Sequence, residues 1–312
     1  MRARAASWEG GAMILVCGES RRERAEEAAA HAGPAGRAFA GGSPVLLAAG
    51  LLRLGVPAAI LREGAGEAAA PRAEDAENEA DDLPVLPRSE EALPAQVRAI
   101  AFRVGPLTAG PAGRADAALA EREAGGRVIS VSLGLPAVAR APEAGIPPAE
   151  RLLRAADHVT ARDQDLRRAL GLEPAEAAWL LLGRGASLVT VTLAGRGALA
   201  FAPGCAVSLP APASAAAGAA EMFQAALLAR LFRTGRMTGE GLAGLDAEAL
   251  GDLLAYAGAA SALACAPHGA ALPSAAEVEA RLQPAARRAR PRPAPRACLP
   301  AGPEAAEGAA PA

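Results

Sequence analysis

Short apolar runs of strand length alternate along this chain with segments of helical length, and no other feature limits the fold so strongly. MILVC (13–17), the stretch from Pro57 to Leu61, AIAFRV (99–104), RVISVSL (127–133), HVT (158–160), SLVTVTL (187–193) and ALAFAP (198–203) read as strands. After the Gly41-Gly42 turn, Ser43 and Pro44 stand where an N-cap and a first helical residue belong. An apolar helix follows to Leu54, and Gly55 ends it. Further helices are predicted over 111–126, 148–156, about 163–184, 217–232, 247–265 and 275–282, while CAVSLPAP (205–212) carries no assignment. Strands that alternate with helices predict an α/β fold, a doubly wound and mainly parallel sheet with helices on both faces.

The 312 residues are 52% hydrophobic, enough for a large core. The expected organisation is an N-terminal extension over 1–12, an α/β domain over 13–282 and a disordered Pro/Ala/Arg tail over 283–312. Residues 63–91 are acidic, lack apolar periodicity and read as a loop or insert. Only 3% of residues are aromatic and the net charge is −2, so no nucleic-acid partner is expected. No apolar run reaches a membrane span, which leaves no membrane partner and no signal peptide. Cys17, Cys205, Cys265 and Cys298 are scattered without a C-x-x-C, which suggests a reducing cytoplasm rather than a disulfide framework or zinc site.

The sequence contains no Lys, so a G-x-x-x-x-G-K-[ST] phosphate loop is impossible; no G-x-G-x-x-G follows a strand, and H-E-x-x-H and G-x-S-x-G are missing. His158 and His268 stand outside any metal spacing and read as structural or surface residues. The stretch with chemistry in it is AGAAEMFQAALLARLF (217–232). It opens a helix with small residues and then an acid, the arrangement that offers backbone N–H groups and a carboxylate at one point.

AFAGGSPVLLAAGLLRLGVPAAIL (38–61) resembles an early signature of the ribokinase/PfkB family of ATP-dependent sugar kinases, its fructokinase branch above all. VTLAGRGALAF, GAAEMFQAALLARL and ALACAPHGAALPSAAEVEARL then follow in the family's order. The resemblance implies a ribokinase-like fold with a β lid over the sugar, ATP and Mg²⁺ as cofactors, a small-molecule sugar and a nucleotide as partners, and a possible homodimer. It matches Gly218, Ala219, Ala220 and Glu221 to the family's G-A-G-D turn, with Glu221 as the catalytic base. Gly195, Gly197 and Gly269 match glycines that approach the nucleotide. Gly41, Gly42 and Glu23 match sugar-binding positions, and Asp165 matches an acid that reaches Mg²⁺ through water.

The departures from the family are as informative. Leu46 replaces a sugar-binding Asn, SLGLP (132–136) replaces D-P-N-x-R-P, and the 63–91 segment is too short for the family's lid, so the lid is expected to be reduced or missing. The implied function is phosphorylation of a sugar such as fructose, with transfer weak or lost. The alternative is an inactive pseudokinase that serves as a nucleotide-binding or regulatory module.

Overall fold

The computed structural model describes residues 11–17, 42–61, 85–86, 93–104, 126–133, 152–193, 195–210, 219–264, 272–285 and 292–293. The first half comprises β1 (Met13–Cys17), α1 (Gly42–Arg53), β2 (Ala58–Leu61), β3 (Val85–Leu86), β4 (Val97–Val104) and β5 (Val128–Leu133). The second half runs β6 (His158–Arg162), α2 (Asp163–Leu170), α3 (Pro174–Gly183), β7 (Leu188–Thr192), β8 (Ala198–Ala202) and β9 (Cys205–Leu209). It continues through α4 (Ala219–Arg233), α5 (Gly239–Ala243), α6 (Ala247–Ala264), α7 (Ala275–Ala285) and β10 (Arg292–Pro293).

The strands form one ten-stranded sheet in the order β10-β9-β8-β7-β6-β5-β4-β1-β2-β3. Every pairing from β3 across to β7 is parallel, whereas β8, β9 and β10 join antiparallel. The apolar runs are continuous because both faces are covered. In β1, Ile14 and Val16 enter one core with α1, α4 and α6, while Met13, Leu15 and Cys17 enter the other with α2 and α3. This is the doubly wound α/β sheet that the strand–helix alternation predicts. No helix among the described residues is long and apolar enough to cross a membrane.

Local chemistry explains the boundaries. Gly55 takes a φ of 76°, its N–H donates to the Leu52 carbonyl, and the Val56 N–H donates to the Leu51 carbonyl. That pair of bonds closes α1 in a Schellman motif, which glycine enters without a Cβ penalty. At α3, Glu173 and Glu176 satisfy each other's backbone N–H groups in a capping box, with Pro174 at the first helical position.

Three expectations need correction. CAVSL, unassigned in the sequence, is β9, a hairpin partner of β8. The tail is not wholly unpacked: α7 runs on to Ala285, and Arg292 and Pro293 pair with Ser208 and Val207 of β9. Within the acidic segment, Val85–Leu86 pairs in parallel with Ile60 and Leu61 and so extends the main sheet. The helix predicted over 111–126 lies outside the described residues except for its final glycine, and of the one predicted over 148–156 residues 152–155 are helical.

Candidate active site

The strand order locates the site before any side chain does. From β1 the chain winds outward through β2 and β3, then returns to the other flank of β1 with β4 and winds away through β5, β6 and β7. The reversal lies between β1 and β4, and in open α/β sheets ligands bind outside the carboxyl ends of the strands at such a switch point.

Arg103 is the penultimate residue of β4. Ala99 and Ala101, on the same side of the strand, belong to the core beneath α1 and α4, so Arg103 rises on the α4 side at the rim. Its Nη1 lies 3.2 Å from Oε1 of Glu221, with the two side chains 28% and 14% exposed. Glu221 is in the first turn of α4. The acid singled out from the sequence thus stands beside the switch point, where the helix N-terminus adds N–H donors and a positive dipole end.

Packing fixes α4 there. Gly50 of α1 lets the helices approach so closely that a Cβ at this position would sit 2.8 Å from the Ala225 Cβ. On the other flank, Ser261 of α6 donates to the Ala219 carbonyl, and Arg230 forms a two-pronged pair with Asp252.

Two other elements reach the same edge of the sheet. Gly195 and Gly197, with φ of 81° and 117°, shape the turn from β7 to β8, where the Leu193 N–H donates to the Gly197 carbonyl. A Cβ at Gly195 would meet nothing within 4 Å, so backbone conformation rather than space requires the glycine. At the end of β6, Arg162 donates from Nε and Nη2 to both carboxylate oxygens of Asp165, at 2.6 and 3.1 Å, and Asp165 is fully buried. The neighbouring Asp163 accepts from Arg167 and from Arg196 of the glycine turn, which ties that turn to the start of α2.

No family model matches this chain, and no curated protein matches it. Solved structures do. A fructokinase with bound ATP from Xylella fastidiosa has a TM-score of 0.63 at 17% identity, over 88% of this chain and 99% of that one. Aminoimidazole riboside kinase from Salmonella enterica gives 0.61 at 17% identity, over 87% and 99%. Arabidopsis thaliana ribokinase complexed with ribose and ATP gives 0.58 at 16% identity, over 88% and 99%. The chain has the ribokinase-like fold.

Within this ribokinase-like sheet the sequence reading missed a polar row. Arg103 of β4 is in register with Ser132 of β5, Ser132 with Thr160 of β6, and Thr160 with Thr190 of β7. Register partners share a face, so one guanidinium and three hydroxyls line up on the side of the sheet that α1, α4 and α6 cover. One row deeper, His158 meets the Ser130 hydroxyl through Nδ1 at 3.0 Å and that of Thr190 through Nε2 at 3.2 Å. Burial lowers the His158 pKa to about 4, because the low-dielectric interior disfavours the imidazolium.

Of the residues matched from sequence, Glu221, Ala219, Ala220, Gly195, Gly197 and Asp165 all fall along this carboxyl edge. Gly42 is the first residue of α1. Glu23, Gly41, Gly218 and Gly269 lie outside the described residues, as does His268. The period-2 alternation of SVSL and TVT was a signal for the polar row, since a strand buried on both faces needs no hydroxyls.

Proposed function

We propose that this chain is a phosphotransferase of the sugar-kinase type, with Glu221 as the acceptor of the alcohol proton and with slow transfer. One observation carries the reading: an acid matched from sequence to the catalytic position stands on the first turn of α4, beside the β1/β4 switch point, in a ribokinase-like fold. Solved structures with this fold include a ribokinase complexed with ribose and ATP.

Bound ATP would supply the phosphoryl group, which passes from its bridging oxygen to the sugar oxygen. The residues of this chain have defined tasks around that transfer. The first-turn N–H groups of α4 suit phosphate oxygens, because a helix leaves them without internal partners and directs its dipole outward. Glu221 receives the hydroxyl proton as the new P–O bond forms. Arg103, already 3.2 Å from that carboxylate, offers a cation to the charge that develops beside it.

Slow transfer follows from the missing acceptor anchors. Leu46 and Ser132 stand where the family resemblance expects polar sugar anchors, and loss of positioning by about 1 Å costs on the order of 100-fold in rate. The residues at Asp165 do not fit Mg²⁺, since the carboxylate is buried and both oxygens are held by Arg162. No step is routed through a metal there.

That enclosed Asp165 favours a second reading, in which the chain binds nucleotide without turnover. ATP binding alone is common to both. Sugar-dependent release of ADP, measured with ribose, fructose and aminoimidazole riboside, separates them: release above the sugar-free rate supports the kinase, and its absence supports the binding module.

A further inference from the structure

Two carboxylates stand where β6 meets α2, one of them matched from sequence to an acid that serves Mg²⁺, and every oxygen of both is already engaged. Asp165 is fully buried, and Arg162 donates to it from Nε at 2.6 Å and from Nη2 at 3.1 Å, one nitrogen to each oxygen. Asp163 is 5% exposed. Its Oδ2 accepts from Arg167 at 3.1 Å and from Arg196 at 2.8 Å, and its Oδ1 accepts from the Gln164 N–H at 2.8 Å. Among the described residues no group of three His, Cys, Asp or Glu is placed to hold a metal ion.

This arrangement excludes Mg²⁺ from Asp165 on physical grounds. The ion keeps several of its waters and reaches a carboxylate either directly or through one of them. Both routes need an oxygen with open surface, and Asp165 has none. Direct ligation would also require the guanidinium to leave, and a buried ion pair that loses one member is strongly destabilised. The cation that Asp165 balances is therefore part of the chain, permanently charged and held in bidentate geometry.

Its position matters. Arg162 is the last residue of β6 and is in register with Thr192, the last residue of β7. The turn that contains Gly195 and Gly197, matched from sequence to the nucleotide, begins directly after Thr192. The ion pair is oriented across the molecular surface, with its carboxylate 0% exposed and its arginine side chain 41% exposed. The same holds in the turn itself, where the Arg196 side chain is 66% exposed and its partner Asp163 is buried. In both pairs the negative end is inside and the positive end meets solvent.

We propose that the Arg162 guanidinium takes the place of Mg²⁺ at this edge, so that the chain binds a nucleoside triphosphate as the free polyanion and needs no divalent cation to do so. A guanidinium suits this task because its planar fork of N–H donors matches phosphate oxygens and its charge does not titrate. The inference rests on nucleotide binding, which both readings above share, and goes beyond them by naming the charge that receives the phosphates.

The test is ATP binding by the full chain, measured by calorimetry in EDTA and again in excess Mg²⁺. The parent is compared with the double variant Arg162→Gln/Asp165→Asn, which leaves no buried charge unpaired and keeps the net charge of the chain. A loss of affinity in that variant reports the placed guanidinium rather than overall charge, and thermal melting checks its fold. The expected result is that the parent binds ATP no more weakly in EDTA than in Mg²⁺, and that the double variant binds it about tenfold more weakly, as for the loss of a charge-assisted hydrogen bond. Tighter binding by the parent in Mg²⁺ overturns the proposal whether or not the variant folds, and leaves the nucleotide reading standing. Equal affinity in the parent and the folded variant also overturns it. If the parent binds no ATP under either condition, the nucleotide reading itself fails and the proposal falls with it.

Discussion

Replacing Gly50 by Ala perturbs the contact that sets α4, and its magnitude can be worked out from two distances. The added Cβ would lie 2.8 Å from the Ala225 Cβ and 3.4 Å from the Met222 Sδ. Carbon atoms pack best at about 3.5–4.0 Å, so α1 and α4 must part by about 1 Å. Overpacking of this kind costs about 1–3 kcal/mol. Alanine is better than glycine in a helix interior by about 1 kcal/mol, which offsets part of that loss. The net expectation is a destabilisation of up to about 2 kcal/mol. Gly258 in α6 is the control, because a Cβ there meets only Leu209 Cδ2 at 3.7 Å, an ordinary contact. Gly258→Ala should therefore keep the propensity gain and stabilise the chain by about 0.5–1 kcal/mol. Urea unfolding of the full chain measures both changes as shifts in midpoint at constant slope. If Gly50→Ala shifts in the same direction as Gly258→Ala, the close helix contact does not set α4.

Other expectations follow from the site. His158 is neutral in the fold and its pKa is lowered to about 4, against an ordinary value near 6.5, so the unfolded chain binds the extra proton first. Its contribution to stability is complete above about pH 6.5 and is lost as pH falls towards about 4, by on the order of 3 kcal/mol, a slope that His158→Gln should flatten in pH-dependent unfolding. Arg162→Ala leaves the buried Asp165 carboxylate without its bidentate partner. Because Arg162 is itself 41% exposed, the expected loss is discounted to about 2–3 kcal/mol, and adding Asp165→Asn should recover most of it in the same unfolding assay. Ala220→Gly combined with Glu221→Asp should give no gain in sugar phosphorylation, since the acceptor anchors missing at Leu46 and Ser132 are not returned by a repaired base; robust turnover by the double variant would contradict this.

Much of the architecture was legible because it is locally encoded. MILVC is too apolar for a one-sided strand, RVISVSL and SLVTVTL are strand-length runs rich in β-branched residues, and Gly55 marks the end of α1 within a residue or two of its true place. Glu221 was legible for the same reason, as an acid in a helix's first turn after small residues. β9 was missed because CAVSL is short and modestly apolar, and its hairpin partner rather than its composition makes it a strand. Arg103 was missed for a deeper reason. It reads as a charge near a strand end, and its role arises only when β4 is laid beside β1 and α4 descends over both. No local pattern connects residue 103 to residue 221. The Arg162–Asp165 pair, by contrast, is a spacing of three at a helix start and could have been anticipated as an ion pair. Gly195 and Gly197 were matched to a nucleotide turn, and their positive φ values account for glycine at both places by backbone geometry.

The central claim is that Glu221, beside the β1/β4 switch point, takes a proton during phosphoryl transfer to a sugar hydroxyl. The rate of sugar-dependent ADP release by the full chain, compared with that of Glu221→Gln at saturating ATP, tests it most directly. Gln keeps the size of the side chain and its place on α4 but cannot accept the proton. The account predicts slow, sugar-dependent release by the parent and a loss of about 100-fold or more in Glu221→Gln, within the range typical of a general base. Equal sugar-dependent rates in the two proteins would contradict it.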